Sequence, residues 1–248
     1  MIFKFTEKPL VLDAFTCRPD IYEYSKLRAA NDCIPQWWKD LPRTLDYPDL
    51  FFPVPTMRSC YGFISQFKYG FFIPIWSDLA LEIDKVGGTE DKFQYSDRMS
   101  RAQPHPQNER GNFVPLSDYY HLKLINPWVF QCKEEVPWET VQPAWNMERP
   151  EAFLTPSGMF DLKNQAAANI NLLFARDASQ KKRVLIPHGQ LMMQVVPLTT
   201  RKLVLKQHLI SEQEYAAIRG KHAKISFVSK FLKSRNAKKR CPFGGDNG

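Results

Sequence analysis

Apolar and polar positions along this chain change places over short distances, and proline or glycine cuts most runs before they grow long. Leu79, Leu81 and Ile83 alternate with Ala80 and Glu82, which predicts a strand with one buried face. Residues 182–199 predict strand, tight turn, strand. Pro187 and Gly189 make the turn, and Leu191, Met192, Met193, Val195 and Val196 form an apolar run that closes at Pro197. One polar residue, Gln194, sits inside that run and needs hydrogen-bond partners if it is buried. The same reading predicts one or two strands within residues 1–16 and a single strand over 71–83 with Pro74 at an edge or bulge. A glycine turn at 86–89 leads to a return strand over 92–95. The strand over 119–125 is joined by Asn126-Pro127-Trp128 to a partner strand over 129–133. Further strands are expected over 137–145, 153–154, 159–161, 169–174 and 203–210, with 169–199 forming a meander.

Helical spacing is rarer. Asp20 to Ala30 reads as a short helix carrying Tyr22, Tyr24 and Leu27. Cys60, Phe63, Ile64 and Phe67 share one face of a second helix, with Gly70 placed to end it. Ser211 and Glu214 form a capping box. Beyond Gly220, Ala223, Phe227, Val228, Phe231 and Leu232 oppose Lys224, Lys230 and Lys233, the pattern of an amphipathic basic helix. Two stretches have no period. Residues 42–56 hold four prolines with Phe51 and Phe52 and read as a shaped loop wrapping the body; 98–115 is polar and reads as the longest loop and the rim of any site. The expected fold is mainly β, of the α+β class. It would be an antiparallel β-sandwich or β-clip-like domain over 1–210, with a few short helices and a helical basic appendage over 211–248.

The net charge of +8 changes this picture only at one end. Nine of the 34 Lys and Arg residues lie from Arg219 onward, beside a single acid, Asp246, so residues 1–218 carry 25 bases and 25 acids. Binding to nucleic acid or to an acidic partner is therefore expected of Lys221, Lys224, Lys230, Lys233, Arg235, Lys238, Lys239 and Arg240. Cys17, Cys33, Cys60, Cys132 and Cys241 are odd in number, widely spaced and without a CxxC, so reduced thiols in a cytoplasm are expected. The first residues lack a continuous apolar segment and no stretch approaches a membrane span, so the expected location is a cytoplasm or a particle assembled there.

Catalytic signatures are sparse. The five histidines show no HxH, HxD or HExxH spacing, no glycine loop matches a phosphate-binding pattern, and Cys60 has no histidine near it in sequence. No metal or cofactor is expected. Trp37 and Trp38, adjacent between two prolines, are candidates for an aromatic surface, with one ring packing inward and the other on a neighbouring segment.

Two resemblances add to this. Within residues 155–198, Gly158-Met159-Phe160-Asp161, the strand NINLLF and then IPHGQLMMQVVPL resemble the C-terminal motifs of trimeric dUTP pyrophosphatases and dCTP deaminases. The resemblance implies that Asp161 positions a water and Gln194 bonds the substrate. Asn164 stands where the family has a stacking tyrosine. On the scale of the chain, IPQWWKDLP, RSCYGFISQFKYGFFIPIWSDLALEI, INPW and IPHGQLMMQVVPL are similar to an uncharacterised family of tailed phages, notably cyanophages, and some bacteria. That resemblance implies origin and fold, and carries no catalytic residue. The expected function is a non-enzymatic, phage-type accessory or virion-associated protein that binds a protein partner or itself. The alternative is a small-molecule enzyme on a β-scaffold, either a degenerate dUTPase-like hydrolase or an Fe/2-oxoglutarate-type oxygenase.

Overall fold

The structure is a computed structural model that describes residues 7–83, 93–96, 102–104, 119–147, 152–175 and 182–220. In chain order it begins with β1 (Leu10–Thr16), α1 (Pro19–Tyr24), β2 (Arg28–Ala29), a 3-10 turn (Ala30–Cys33) and α2 (Gln36–Asp40). The short strands β3 (Thr44–Leu45) and β4 (Val54–Pro55) precede a second 3-10 turn (Met57–Ser59) and α3 (Tyr61–Lys68). Next come β5 (Phe71–Pro74), β6 (Leu79–Ile83), β7 (Phe93–Ser96), β8 (Ala102–Pro104), β9 (Tyr119–Leu124) and β10 (Val129–Cys132). After β11 (Pro137–Val141) a 3-10 turn (Ala144–Asn146) leads to β12 (Gly158–Asp161), β13 (Ile170–Ala175), β14 (Lys182–Ile186), β15 (Leu191–Pro197) and β16 (Leu203–Leu209). A helix over 212–220, here α4, ends the described part. The chain is thus mainly β with few short helices, an α+β fold.

Strand order is β12-β11-β15-β5-β2 in a five-stranded sheet, and β10-β1-β16, β13-β9-β8 and β14-β6-β7 in three smaller ones. Inward side chains from all four meet in one cluster. Leu10, Leu12, Phe71, Leu79, Leu122, Phe130, Trp138, Phe174 and Val195 belong to it and are almost fully buried. Each such side chain contributes about 1.5–3 kcal/mol relative to staying exposed. In β9 the alternation is legible residue by residue: Tyr120, Leu122 and Leu124 point in, while Tyr119, His121 and Lys123 are half-buried.

The pairings differ from those expected of neighbours in sequence. Residues 71–83 form two strands, and β14 and β15 do not pair with each other. Instead β15 lies against β5 and β14 against β6, both antiparallel, so the two interrupted segments make one ribbon that passes between sheets. Its corner is bonded: the Ile75 N–H donates to Gln190 O (2.8 Å), Gly189 N–H to Ile75 O (3.0 Å), and His188 N–H to Asp78 Oδ1 (2.7 Å). Gly189 takes φ +82° there. The reason lies in β15 itself. Its residues from Leu191 to Val195 are buried on both faces, which a terminal hairpin cannot supply and a central strand can. Pro74 falls opposite Leu191, where the register shifts by a bulge.

Asn126-Pro127-Trp128 is likewise a crossing and not a hairpin turn. β9 pairs with β13 and β8, whereas β10 pairs with β1. The buried Asn126 side chain holds the crossing by donating to Ala168 O and accepting from the Trp128 N–H (3.0 Å each). The first helix stops at Tyr24 because Gln207 competes for the chain beyond it. The Gln207 amide accepts from Leu27 N–H (2.8 Å) and donates to Leu27 O (3.1 Å), as a neighbouring strand would, so residues 28–29 extend into β2. The strand expected to reach Trp145 ends at Val141. Leu154 contributes a lone bridge to Leu173, and residues 102–104 of the expected long loop pair with β9.

Among the described residues the only parallel pair joins β1 to β16, from Leu10 opposite Leu203 to Thr16 opposite Leu209. Arg201 secures its start. Its guanidinium donates to Lys8 O and Pro9 O and forms a two-pronged bond with Glu134. That bond holds the Glu134 carboxyl below its ordinary range.

Candidate interaction surface

The outer face of the five-stranded sheet is where α3 and the 3-10 turn at Ala30–Cys33 dock. Phe72 of β5 and Leu191 of β15 point outward from the main core into a small second cluster with Ala30 and Cys33. Gln194, opposite Phe72, has no exposed surface. Its amide nitrogen donates to Gln66 O (2.7 Å) and Tyr69 O (3.0 Å), the carbonyls at the end of α3 that no helical N–H can reach. The two carbonyls dictate which end of the amide faces them. Gly70 follows at φ +82°, and its backbone lies so close to β15 that a Cβ would meet Val195 O at 2.1 Å. The Ala30 N–H bonds Gly70 O (3.1 Å) from the other side. Thus α3 is fixed to the sheet at its C-terminal end.

Aromatic side chains extend outward from that anchor. Buried Phe67 meets Trp38 edge-on at 5.4 Å between ring centroids, and Phe63 meets Trp145 at 4.8 Å. Trp38 is half-buried, with the Arg58 guanidinium over its ring at 5.8 Å. Trp37 lies exposed on Trp145, with centroids 6.1 Å apart, and its Nε1–H donates to Trp145 O (3.1 Å). The adjacent tryptophans on α2 therefore divide between an inner and an outer position.

Between α2 and α3 the chain leaves the body as a narrow hairpin, with β3 and β4 as its stem. Thr56 closes the base: its N–H donates to Arg43 O (2.9 Å) and its hydroxyl to Pro42 O. Ser59 Oγ also donates to Arg43 O (2.9 Å), and Arg58 Nη1 to Leu41 O (2.8 Å). This corrects the expectation of a loop wrapped on the body. At the tip Phe51 is fully exposed and Phe52 is 65% exposed, with Tyr47 and Leu50 beside them; Tyr61, at the start of α3, is 78% exposed. The proline-rich tip has no period, so sequence reasoning had no face to assign to these side chains. Its one signal was Leu50-Phe51-Phe52 without polar alternation. Trp145, expected at the end of a strand, and Tyr61 are further residues of this surface that sequence did not single out.

The structure does not bring Asp161 and Gln194 together. Asp161 pairs with Pro137 at one end of β11, and Gln194 with Val141 at the other, two strands away. By strand spacing and rise they are on the order of 16 Å apart. Both carboxylate oxygens of Asp161 serve its own turn, accepting from Lys163 N–H (2.9 Å) and from Asn164 Nδ2 (2.6 Å). Lys221, Lys224, Lys230, Lys233, Arg235, Lys238, Lys239 and Arg240 lie outside the described residues. The capping box ahead of them is formed. Ser211 Oγ bonds Glu214 Oε2 (2.7 Å), the Ser211 N–H donates to the same oxygen (3.0 Å), and the Glu214 N–H donates to Ser211 Oγ (3.3 Å), which lowers the Glu214 pKa.

Other chemistry-bearing groups have structural surroundings. Burial pushes the Cys33 and Cys132 thiols up, away from reactive thiolate. Ser25 Oγ is 2.9 Å from His188 Nε2, but Ser25 is buried, and the nearby Asp78 carboxylate accepts the backbone N–H of His188. The pair ties the end of α1 to the ribbon corner. Among the described residues no group of three His, Cys, Asp or Glu is placed to hold a metal ion, and no helix is long and apolar enough to cross a membrane. No protein-family model, curated protein or solved structure matches the chain.

Proposed function

We propose that this chain is a non-enzymatic binding protein of the phage accessory or virion-associated type, and that the hairpin and the α2–α3 face are its working surface. The observation that carries this reading is the crowding of exposed large apolar side chains into residues 37–64 together with Trp145. Scattered single hydrophobes are ordinary on a protein surface; a contiguous set rising from an anchored platform marks a contact site. The anchoring supports the reading too, because α3 is held by Gln194 and Gly70, so the platform rings of Phe63, Trp145 and Trp37 are presented in a fixed arrangement at little ordering cost on binding. A photo-crosslinking amino acid at position 51 is expected to give one discrete adduct in the native setting, while the same group at exposed Glu212 gives none. Equal, diffuse labelling from both positions would count against the surface.

The basic stretch from Arg219 onward supports a second contact, with nucleic acid or an acidic partner, because it carries the chain's whole excess charge. Deleting 219–248 is expected to remove salt-sensitive binding to short DNA, read by fluorescence anisotropy. Undiminished binding by the shortened chain would sink this contact.

A further inference from the structure

We infer that the partner of the hairpin face is a second copy of this chain, docked about a two-fold axis with the hairpin tip of each copy on the ring platform of the other. This rests on the face being a binding surface, and three features of the face select the occupant.

The first is size. Trp37, Tyr47, Phe51, Phe52, Tyr61 and Trp145 are all exposed, and at roughly 200 Å² per aromatic side chain they leave about 750 Å² in the open. The largest apolar patch of an ordinary monomer is roughly 300–600 Å², whereas one side of a stable protein interface buries about 800 Å². The second is charge. Residues 36–68 contain Lys39, Arg43, Arg58 and Lys68 against Asp40, Asp46 and Asp49. A polyanion or an anionic membrane selects a single-sign surface, while a mixed surface close to neutrality is complementary to itself. The third is shape. The face carries a projecting apolar tip, Leu50 to Phe52, and a broad platform of Trp37, Trp145 and Phe63 on elements joined at the hairpin base. A projection and its seat on the same chain generate two equivalent contacts when two copies meet about a two-fold axis.

The test uses the purified full chain in sedimentation equilibrium, with the crosslinker at position 51 as a second readout. The expected result is a concentration-dependent dimer with an adduct of twice the chain mass. Phe51→Asp together with Phe52→Asp should raise the dimer dissociation constant by on the order of thirtyfold or more, as loss of buried aromatic anchors does. Leu185→Asp, at an exposed position on β14 away from the face, should leave it unchanged. Circular dichroism and urea midpoints check that each variant folds. A chain that stays monomeric, or a dimer indifferent to the Phe51/Phe52 change, overturns the inference. So does an adduct from position 51 to residues 221–248 of the same chain. A single adduct with a different protein, when the same crosslinker is used in the native setting, also overturns it, while leaving the binding surface in place. Absence of both dimer and discrete adduct removes the two readings together.

Discussion

Gln194 and Phe51 break the usual placement of side chains in opposite directions. Gln194 is a polar amide with no exposed surface, in the middle of an apolar strand; Phe51 is an aromatic ring wholly in solvent. The first violation is compensated inside the protein at the amide nitrogen, which closes the end of α3 through two backbone carbonyls. The second is resolved by nothing in the chain's described residues. A local conflict with internal compensation is structural, and one without it points outward to function. The two are also linked, because the buried amide holds the helix on which the exposed face is built.

The contrast can be broken most forcefully at Gly70. An alanine there combines a left-handed φ with a Cβ placed 2.1 Å from Val195 O, so β15 or α3 must move. A loss of roughly 3 kcal/mol or more is expected, among the largest effects of single substitutions, together with loss of the position-51 crosslink. Urea unfolding at neutral pH measures the first, and a native-like midpoint would contradict the close packing. Next is Gln194→Leu, which keeps the volume and strands the carbonyls of Gln66 and Tyr69. It should cost about 1–3 kcal/mol, offset in part because Gln194 Oε1 itself has no protein partner among the described residues. If urea midpoints were unchanged, the amide would not be what holds α3. The smallest effect is expected at the tip. Phe51→Ser with Phe52→Ser should move stability of the monomer by no more than about 0.5 kcal/mol, as for surface positions without packing partners. A large loss in the dilute monomer would instead show that the hairpin packs on its own body.

Much of the fold was legible where alternation was clean. Residues 79–83 and 119–124 show it, and the capping box at Ser211 marked a helix that is present. Partnership was not legible. Two strands joined by Ile-Pro-His-Gly look like a hairpin, yet burial on both faces of β15 places it between β11 and β5. The end of α1 depends on Gln207, some 180 residues away in the chain, and no local propensity encodes such a competitor. Of the candidate surface, Trp37 and Trp38 were visible as an unusual pair. Phe51 and Phe52 were visible as an aromatic pair in a proline-rich stretch, but their exposure was not, because exposure of an aperiodic apolar run is decided by whether the rest of the molecule comes to cover it.

The parallel pairing of β1 with β16 also governs when the fold can be completed. Leu10 waits for Leu203, so the sheet holding the first strand stays unfinished until nearly two hundred further residues have been made. In the later part of that interval, once Val129–Cys132 has been made, β1 has its antiparallel partner, β10, on one edge and lacks a neighbour on the other. Contacts this distant in sequence form late and slowly, and an open edge bearing Leu10, Leu12 and Ala14 is a site for wrong pairing while it lasts. Synthesis rate and chaperone access at that stage should therefore influence the yield of native protein.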